Sequence, residues 1–309
     1  MIAIDLGSNT LRVIQVDCDS GRVMAAFEKM VKTADGLAHT GRVGEQAVER
    51  VAQAIREAKE QIDFSADEMR AVTTEALRRA DNTEEVLAAI EEETGVQFEV
   101  ISGEEEARLT LLATEYRLRH LDCDAEAFLL VDIGGGSTEL IFRYPDKVLT
   151  RSFPIGIVTI AQHYASIEAI EAALPDEMAA MQRYTRERYR REGPLETCVA
   201  TAGTPTTGAA LKLGQNNATY DPEEINGTSL SVSDLNDALR LLLSTSEQER
   251  ERLVGVGRSD LIAAGILIFK RLFAIADMQA CIVIDDGLRE GVALQGCRDA
   301  MTETKRARF

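Results

Sequence analysis

Apolar residues in this chain recur with two different periods, and the switches between them divide it into alternating strands and helices. Met1–Val16 (MIAIDLGSNTLRVIQV) reads as two strands around a turn, and Gly21 permits a turn into a third strand over Arg22–Val31. Lys32–Gly44 is loop-like. Gly44–Ile62 then sets Ala47, Val48, Val51, Ile55 and Ala58 at helical spacing with charges between them. Met69–Thr73 and Phe98–Ile101 read as short strands, with a helix over Thr83–Glu93 closed by Gly95, and Gly103–Arg119 is helical. Beyond Leu121–Glu126 (LDCDAE) come strands at Leu129–Val131, Glu139–Phe142 and Lys147–Phe153, a helix over Gly156–Tyr164, and one or two helices over Ile167–Arg191. Cys198–Thr201 is a strand leading into a helix that runs through Leu211, and Gln215–Gly227 is a polar excursion without a clear element. Helices follow at Val232–Leu243, Glu247–Leu253 and Ser259–Ala276, then a strand at Ile282–Ile284. A last helix starts from Asp286 and has a frayed basic end, Lys305–Arg308. Strands alternate with helices in both halves, so α/β layers are the expected architecture.

The segment Leu129–Phe142, LLVDIGGGSTELIF, is the one around which the chain is arranged. Three apolar residues suit a buried strand ending at Asp132. Gly134, Gly135 and Gly136 are expected to form a turn that side-chain-bearing residues would not tolerate, with backbone N–H groups lining one concavity. Ser137 and Thr138 add hydroxyls, and Glu139 opens an alternating strand. Such a hairpin can hold phosphate oxygens, with a carboxylate on each flank for a metal or a water. The same residues also suit an ordinary glycine-rich hairpin.

The first sixteen residues repeat this pattern without a gap. Asp5 falls on Asp132, Gly7 on Gly134, Thr10 on Ser137 and Arg12 on Glu139, a constant offset of 127 residues. Internal similarity of this kind implies two related domains, each opening with a phosphate hairpin, 1–122 and 123–309. The last helix could pack back on the first domain, and LDCDAE is the expected junction. Two such hairpins facing one another across a cleft would grip a polyphosphorylated ligand from both sides, and a short junction would let that cleft close.

Composition narrows the class. At 309 residues two domains are expected, and 45% hydrophobic with 28% charged residues is the balance of a soluble globular protein. No apolar run is long enough for a membrane span, and Met1 leads directly into a strand, so a cytoplasmic protein without a signal peptide is expected. Cys18, Cys123, Cys198, Cys281 and Cys297 are odd in number, widely spaced and without a CxxC pair, which suggests reduced thiols. His39, His120 and His163 are too scattered for a zinc site. A net charge of −18 argues against DNA as a partner. It would also oppose any polyanion unless cations act locally, and Arg78, Arg79, Arg108, Arg117, Arg119 and the run Arg183–Arg191 are available. Screening confines bulk repulsion to about 8 Å, so local placement outweighs net charge.

The paired DLGSNT and DIGGGSTE resemble the phosphate loops of the actin, sugar-kinase and heat-shock ATPase superfamily. TEALRRADN (Thr74–Asn82), ISGEEEARL (Ile101–Leu109), AGTPTTGAA (Ala202–Ala210), GRSDLIAAGIL (Gly257–Leu267) and DDGLREGV (Asp285–Val292) narrow the resemblance. Together they match the exopolyphosphatase/guanosine pentaphosphate phosphohydrolase (Ppx/GppA) family, in its short two-domain form. The resemblance implies two ribonuclease-H-like, actin-like ATPase domains with a cleft between them. It also implies hydrolysis of a terminal phosphoanhydride in inorganic polyphosphate or in the stringent-response nucleotide guanosine pentaphosphate.

The resemblance also assigns roles. Glu106, immediately before Ala107, matches the family's catalytic glutamate, which orients and deprotonates water. From composition alone it would be a helix-capping charge, as would Glu104 and Glu105. Asp132 and Glu139 match the family's acidic pair, and with Asp5 they form the implied metal set, for Mg2+ or Mn2+ with a monovalent cation as a further candidate. Gly7, Ser8, Asn9 and Thr10, with Gly134–Thr138, would cradle phosphates, and Arg78 would clamp one. Asn226 stands where relatives commonly carry histidine. No membrane partner is implied, and a homodimer is compatible with the pattern. Two other functions fit part of the sequence: an ATP-dependent kinase of the same superfamily, and a non-catalytic sensor of guanosine tetra- or pentaphosphate. Against the kinase, ISGEEEARL and TEALRRADN are not sugar-kinase features. Retention of Glu106, Asp132 and Glu139 argues against the sensor.

Overall fold

The structure, a computed structural model, describes residues 1–306 apart from 66, 124 and 257, and only the backbone of 259, 260 and 301–306. The expected junction at 121–126, the motif at 257–267 and the basic end at 305–308 each include residues outside those described.

Two compact units divide the chain: Met1–Ala113 with Gly287–Phe309, and Thr114–Asp286. The first is built on β1 (Ile2–Leu6), β2 (Thr10–Val16), β3 (Val23–Met30), β4 (Met69–Thr73) and β5 (Phe98–Val100), in the order β3-β2-β1-β4-β5. β1 is antiparallel to β2 and parallel to β4, and all five of its residues are buried, as a central strand covered on both faces requires. Between these strands lie α1 (Leu37–Thr40), α2 (Glu45–Gln61), α3 (Glu75–Arg79) and α4 (Thr83–Thr94); α5 (Gly103–His120) follows β5, its residues up to Ala113 in this unit and those from Thr114 in the second. α2 buries the expected apolar stripe, including Ala47, Val51, Ile55 and Ala58. α4 ends at Gly95, which takes the left-handed φ of 69° that closes a helix.

The second unit starts with β6 (Phe128–Ile133), β7 (Thr138–Tyr144) and β8 (Lys147–Phe153). Then come α6 (Ile157–His163), α7 (Ile167–Glu177), α8 (Ala179–Glu192), β9 (Cys198–Thr201), α9 (Gly203–Lys212), α10 (Pro222–Ile225), β10 (Ser229–Ser231), α11 (Val232–Ser244), α12 (Glu247–Val254), α13 (Ser259–Ala276) and β11 (Ala280–Val283). Its sheet order, β10-β11-β9-β6-β7-β8, repeats the first: an antiparallel three-strand meander beside parallel strands, with β10 added at one edge. The sequence repeat is therefore also a repeat of topology. α13, with Ile262, Ile266, Phe269 and Phe273 buried, forms the centre of this core.

α14 (Leu288–Arg306) belongs to the first unit and packs on β1, β2 and β4. Gly291 makes this possible, because a Cβ there would sit 2.0 Å from the Leu109 carbonyl oxygen. Leu288, Val292, Ala293 and Cys297 of α14 join Met1, Ala3, Ile14 and Val72 in one apolar cluster.

Four local elements differ from expectation, one of them β10, since no strand was expected between Gly227 and Val232. TEALRRADN contains the short helix α3, and the loop-like and polar excursions contain α1 and α10; none is long enough to carry a period. The expectation of five reduced thiols is also corrected. Cys18, just beyond β2, and Cys297 of α14 form a disulfide with Cα atoms 5.2 Å apart. A separation of 279 residues hides this pair, because only the return of α14 onto the first sheet brings the two together. Cys123, Cys198 and Cys281 are free.

Candidate active site

The two hairpins share one register and one closing bond. Asp5 stands opposite Arg12 as Asp132 stands opposite Glu139, and the Gly7 N–H donates to Thr10 O (3.0 Å) as the Gly134 N–H donates to Ser137 O (2.9 Å). None of Gly134, Gly135 and Gly136 adopts a left-handed φ, so their dihedral freedom is not what the turn uses. The tight approach is made by another glycine. Gly156, just before α6, lies so close that a Cβ on it would come 2.4 Å from the Gly135 carbonyl oxygen and 2.7 Å from that of Gly134.

That close approach fixes the direction of the turn. Ile157 N donates to Gly134 O (3.1 Å) and Val158 N to Gly135 O (2.8 Å). A peptide plane carries its C=O and N–H on opposite sides, so the N–H groups of Gly135 and Gly136 point away from α6. The first hairpin is held in the same way. Ser8 O accepts from Ala34 N (2.9 Å), and Asn9 O accepts from Val31 N (2.8 Å) and Lys32 N (2.9 Å), which turns the Asn9 and Thr10 N–H groups outward. Each loop therefore presents adjacent donors of the kind that bind anions. The hydroxyls differ from one another. Thr138 Oγ1 donates inward to Ile155 O (2.6 Å), so Thr138 serves the fold of the loop in this structure, and Ser137 is buried.

Asp132 and Glu139 are 8% and 1% exposed and sit side by side on neighbouring strands. Cross-strand partners of this kind have Cβ atoms about 4.5–5.5 Å apart, close enough for both carboxylates to serve one ion. Glu139 Oε1 also accepts from Ser152 Oγ (2.7 Å), which orients it from β8. Among the described residues no group of three or more His, Cys, Asp and Glu side chains converges as a complete metal cage. The Asp132–Glu139 pair nevertheless suits magnesium, which takes one or two carboxylates and completes its shell with waters and substrate phosphates. Asp5 is buried in the first unit opposite Arg12, and Arg12 in turn lies 3.2 Å from Glu28.

Glu106 and Arg78 meet within the first unit. Ser102 caps α5, its Oγ accepting from Glu105 N (3.1 Å), and the helix then sends the three glutamates to different sides. Glu105 pairs with Arg108 (2.7 Å), whereas Glu106, 8% exposed, accepts from Arg78 Nη1 (2.8 Å). Arg78 also donates from Nη1 to Ile101 O (2.8 Å), and from Nε (3.3 Å) and Nη2 (3.0 Å) to Glu75 Oε2. Four of its five N–H groups are thus on protein acceptors. Burial, the largest single influence, would lower the Arg78 pKa, but the charges and hydrogen bonds of Glu106 and Glu75 outweigh it and raise the pKa above its ordinary value. In this arrangement Arg78 holds Glu106 rather than standing ready for a phosphate. Arg79 is exposed and 3.9 Å from Glu75.

Several residues around these groups carried little sequence signal. Ser152 and Gly156 act through register and packing alone. Glu75 is three residues before Arg78, a helical spacing that identifies the pair once α3 is known. In the second unit Arg117 makes a two-pronged bond to Asp286 (2.8 and 3.1 Å), within the DDGLREGV motif. Asn226 Oδ1 accepts from Asp285 N (2.8 Å), a structural use for the residue that departs from the common histidine.

The chain is 28% identical to exopolyphosphatase 2 of Mycobacterium tuberculosis, covering 94% of this chain and 97% of that one. It superposes on the crystal structure of the Aquifex aeolicus Ppx/GppA family member with a TM-score of 0.72, at 31% identity over 97% of each chain. An exopolyphosphatase from Cytophaga hutchinsonii, at 20% identity over 96% of this chain and 97% of its own, shares the fold with a TM-score of 0.81. With the model of that family matching residues 13–298 and the same two-sheet α/β architecture in its solved members, the chain belongs to the Ppx/GppA phosphatase family.

Proposed function

We propose that this protein hydrolyses the terminal phosphoanhydride of inorganic polyphosphate, of guanosine pentaphosphate, or of both, by attack of water. The observation that carries this reading is the buried, side-by-side pair Asp132 and Glu139 flanking a turn that presents backbone N–H donors. The name of the Mycobacterium tuberculosis relative, an exopolyphosphatase, supports the polyphosphate half of it.

Transfer of a phosphoryl group to water needs an in-line nucleophile, a base, and positive charge for the transferred oxygens. Glu106 is the proposed base, and Arg78 orients its carboxylate through the 2.8 Å bond. The N–H groups of Asn9, Thr10, Gly135 and Gly136 are the proposed phosphate donors, stabilising charge without reorganising because the carbonyls of the same peptide planes, those of Ser8, Asn9, Gly134 and Gly135, are already tied down. Asp132 and Glu139, with Asp5 as a further candidate, would hold Mg2+ or Mn2+, which when bound neutralises phosphate charge. Ser152 fixes the Glu139 carboxylate for that purpose.

The test is phosphate release, with magnesium, from long polyphosphate, tripolyphosphate and guanosine pentaphosphate in parallel. It is run with the wild type and with Glu106→Gln, whose amide oxygen can still accept from Arg78. Release from at least one substrate is expected, falling by about 10²–10⁴-fold in the variant, the usual contribution of a general base. Equal turnover by both proteins would remove Glu106 from the mechanism, and no release from any substrate would overturn the activity.

A further inference from the structure

The arginine run of α8 takes no part in the chemistry proposed above. α8 carries Arg183, Arg186, Arg188, Arg190 and Arg191 against two acids, Glu187 and Glu192, in a chain of net charge −18. Both acids are engaged: Glu187 by Arg191 (2.6 Å) and Arg188 (3.6 Å), and Glu192 by Lys147 of β8. Arg183, Arg186 and Arg190 fall at i, i+3 and i+7, on one stripe of the helix. All three are exposed, and none makes an ion pair with a described residue. At 1.5 Å per residue the stripe is about 10 Å long.

Two more guanidinium groups lie on the inner side of α8, roughly opposite that stripe at about 100° per residue. The Arg151 guanidinium of β8 lies 5.0 Å from the Phe153 ring centre and 5.1 Å from that of Tyr184, and Arg188 lies 5.1 Å from the same Tyr184 ring. Arg188 Nε is buried without a hydrogen-bond acceptor. Aromatic faces fix both guanidinium groups in place; Arg188, beside Glu187 and with its Nε buried, serves the packing of α8, and of the two it is the exposed Arg151 that keeps N–H groups open to solvent. The register says which side of the sheet this is. Ser152 stands opposite Glu139 and Arg151 opposite Leu140, so alternation puts Arg151 and α8 on the face away from the Glu139 carboxylate.

We propose that the exposed stripe of Arg183, Arg186 and Arg190 on α8 is a second, non-catalytic binding surface for inorganic polyphosphate. The identity of the polyanion rests on the activity proposed above; the existence of the surface does not. A single thin chain of phosphates can lie along a stripe about 10 Å long, its charges all close to arginine. A nucleic-acid duplex carries a charge every ~1.7 Å along a wide rod, and an anionic bilayer presents a plane. Either would press most of its charge against a surface that is acidic overall, within the roughly 8 Å over which that repulsion acts.

The experiment measures equilibrium binding of end-labelled long polyphosphate by fluorescence anisotropy across a salt series. Wild type is compared with the triple variant Arg183→Gln/Arg186→Gln/Arg190→Gln and with the corresponding triple lysine variant, and circular dichroism checks the fold of each. Losing three phosphate contacts is expected to flatten the slope of log affinity against log salt by about 2, at ~0.7 per contact for a single-stranded polyanion. The lysine variant is expected to keep the wild-type slope. The ratio of KM for long polyphosphate to KM for tripolyphosphate should rise in the glutamine variant. An unchanged slope and ratio there, or no binding by wild type, overturns the surface. Equal affinity for single-stranded DNA of matched charge, lost in the same variant, overturns its assignment to polyphosphate. Salt-sensitive binding by an enzyme that releases no phosphate would leave the surface standing and refute the activity instead.

Discussion

Gly156→Ala adds one methyl group at the point where α6 supports the glycine turn. The added Cβ would lie 2.4 Å from Gly135 O and 2.5 Å from Gly135 C, whereas real Cβ contacts stay above 3.0 Å, so the turn or the helix must retreat by roughly 0.6 Å. Both close atoms are backbone, with no flexible end to swing aside. The Gly156 backbone itself is extended (φ −138°, ψ 174°), a conformation alanine adopts freely, so the whole effect is steric. Overpacking of this kind costs about 1–3 kcal/mol, and the bonds from Ile157 and Val158 N–H to the turn carbonyls lengthen with it. For a unit of this size that is a fall in Tm of about 2–12 °C. Activity should fall further than stability suggests. A misplacement of ~1 Å can cost ~10²-fold, so the turn's retreat is expected to lower kcat about tenfold at temperatures where the protein remains folded. Calorimetry and phosphate release on the same preparations give both numbers. Gly44→Ala, where a Cβ meets nothing within 4 Å, is the control. A Gly156→Ala protein with wild-type Tm and kcat would refute the claim that this contact sets the turn.

Three further outcomes are expected. Arg78→Lys cannot reproduce a fork bonded to Glu75, Glu106 and Ile101, so it should lower kcat with little change in KM; a rise in KM at constant kcat would instead make Arg78 a phosphate clamp. Asp132→Asn removes a charged oxygen and should raise the magnesium concentration giving half-maximal rate, an idea that full activity in chelator would sink. Reducing the Cys18–Cys297 bond, or Cys297→Ser, should destabilise the first unit by about 2–4 kcal/mol in denaturant unfolding, because the bond closes a loop spanning almost the whole chain. Identical unfolding curves with and without reductant, on protein shown by peptide mapping to carry the bond, would contradict this.

What the sequence disclosed follows from which interactions are local. The hairpins were legible because the repeat at an offset of 127 residues places like residues in like roles, and the match extends to the closing bonds of Gly7 and Gly134. Two long helices were legible from sequence, α2 from its apolar period and α13 as a mostly apolar run. The part played by Gly156 was not. Conformational freedom was the expected explanation, but the structure uses none of it at Gly134–Gly136 and depends instead on Gly156, about twenty residues away. Ser152 on Glu139 is a consequence of strand register, and the Cys18–Cys297 bond of where α14 packs. The partnership of Arg78 with Glu106 joins residues of α3 and α5 and became visible only when those helices were placed. The charge of Glu106 could be read from sequence as a helix cap, and only its neighbours distinguish it from Glu105, which pairs with Arg108.

The central claim is that water, rather than an acceptor molecule, receives the terminal phosphoryl group. Mass spectrometry of phosphate released from polyphosphate in ¹⁸O-labelled water tests it directly. Attack by water predicts one ¹⁸O atom in each phosphate released, with the labelled product forming about 10²–10⁴-fold more slowly in Glu106→Gln. Phosphate that appears on an added acceptor, or is released without the label, would contradict the account.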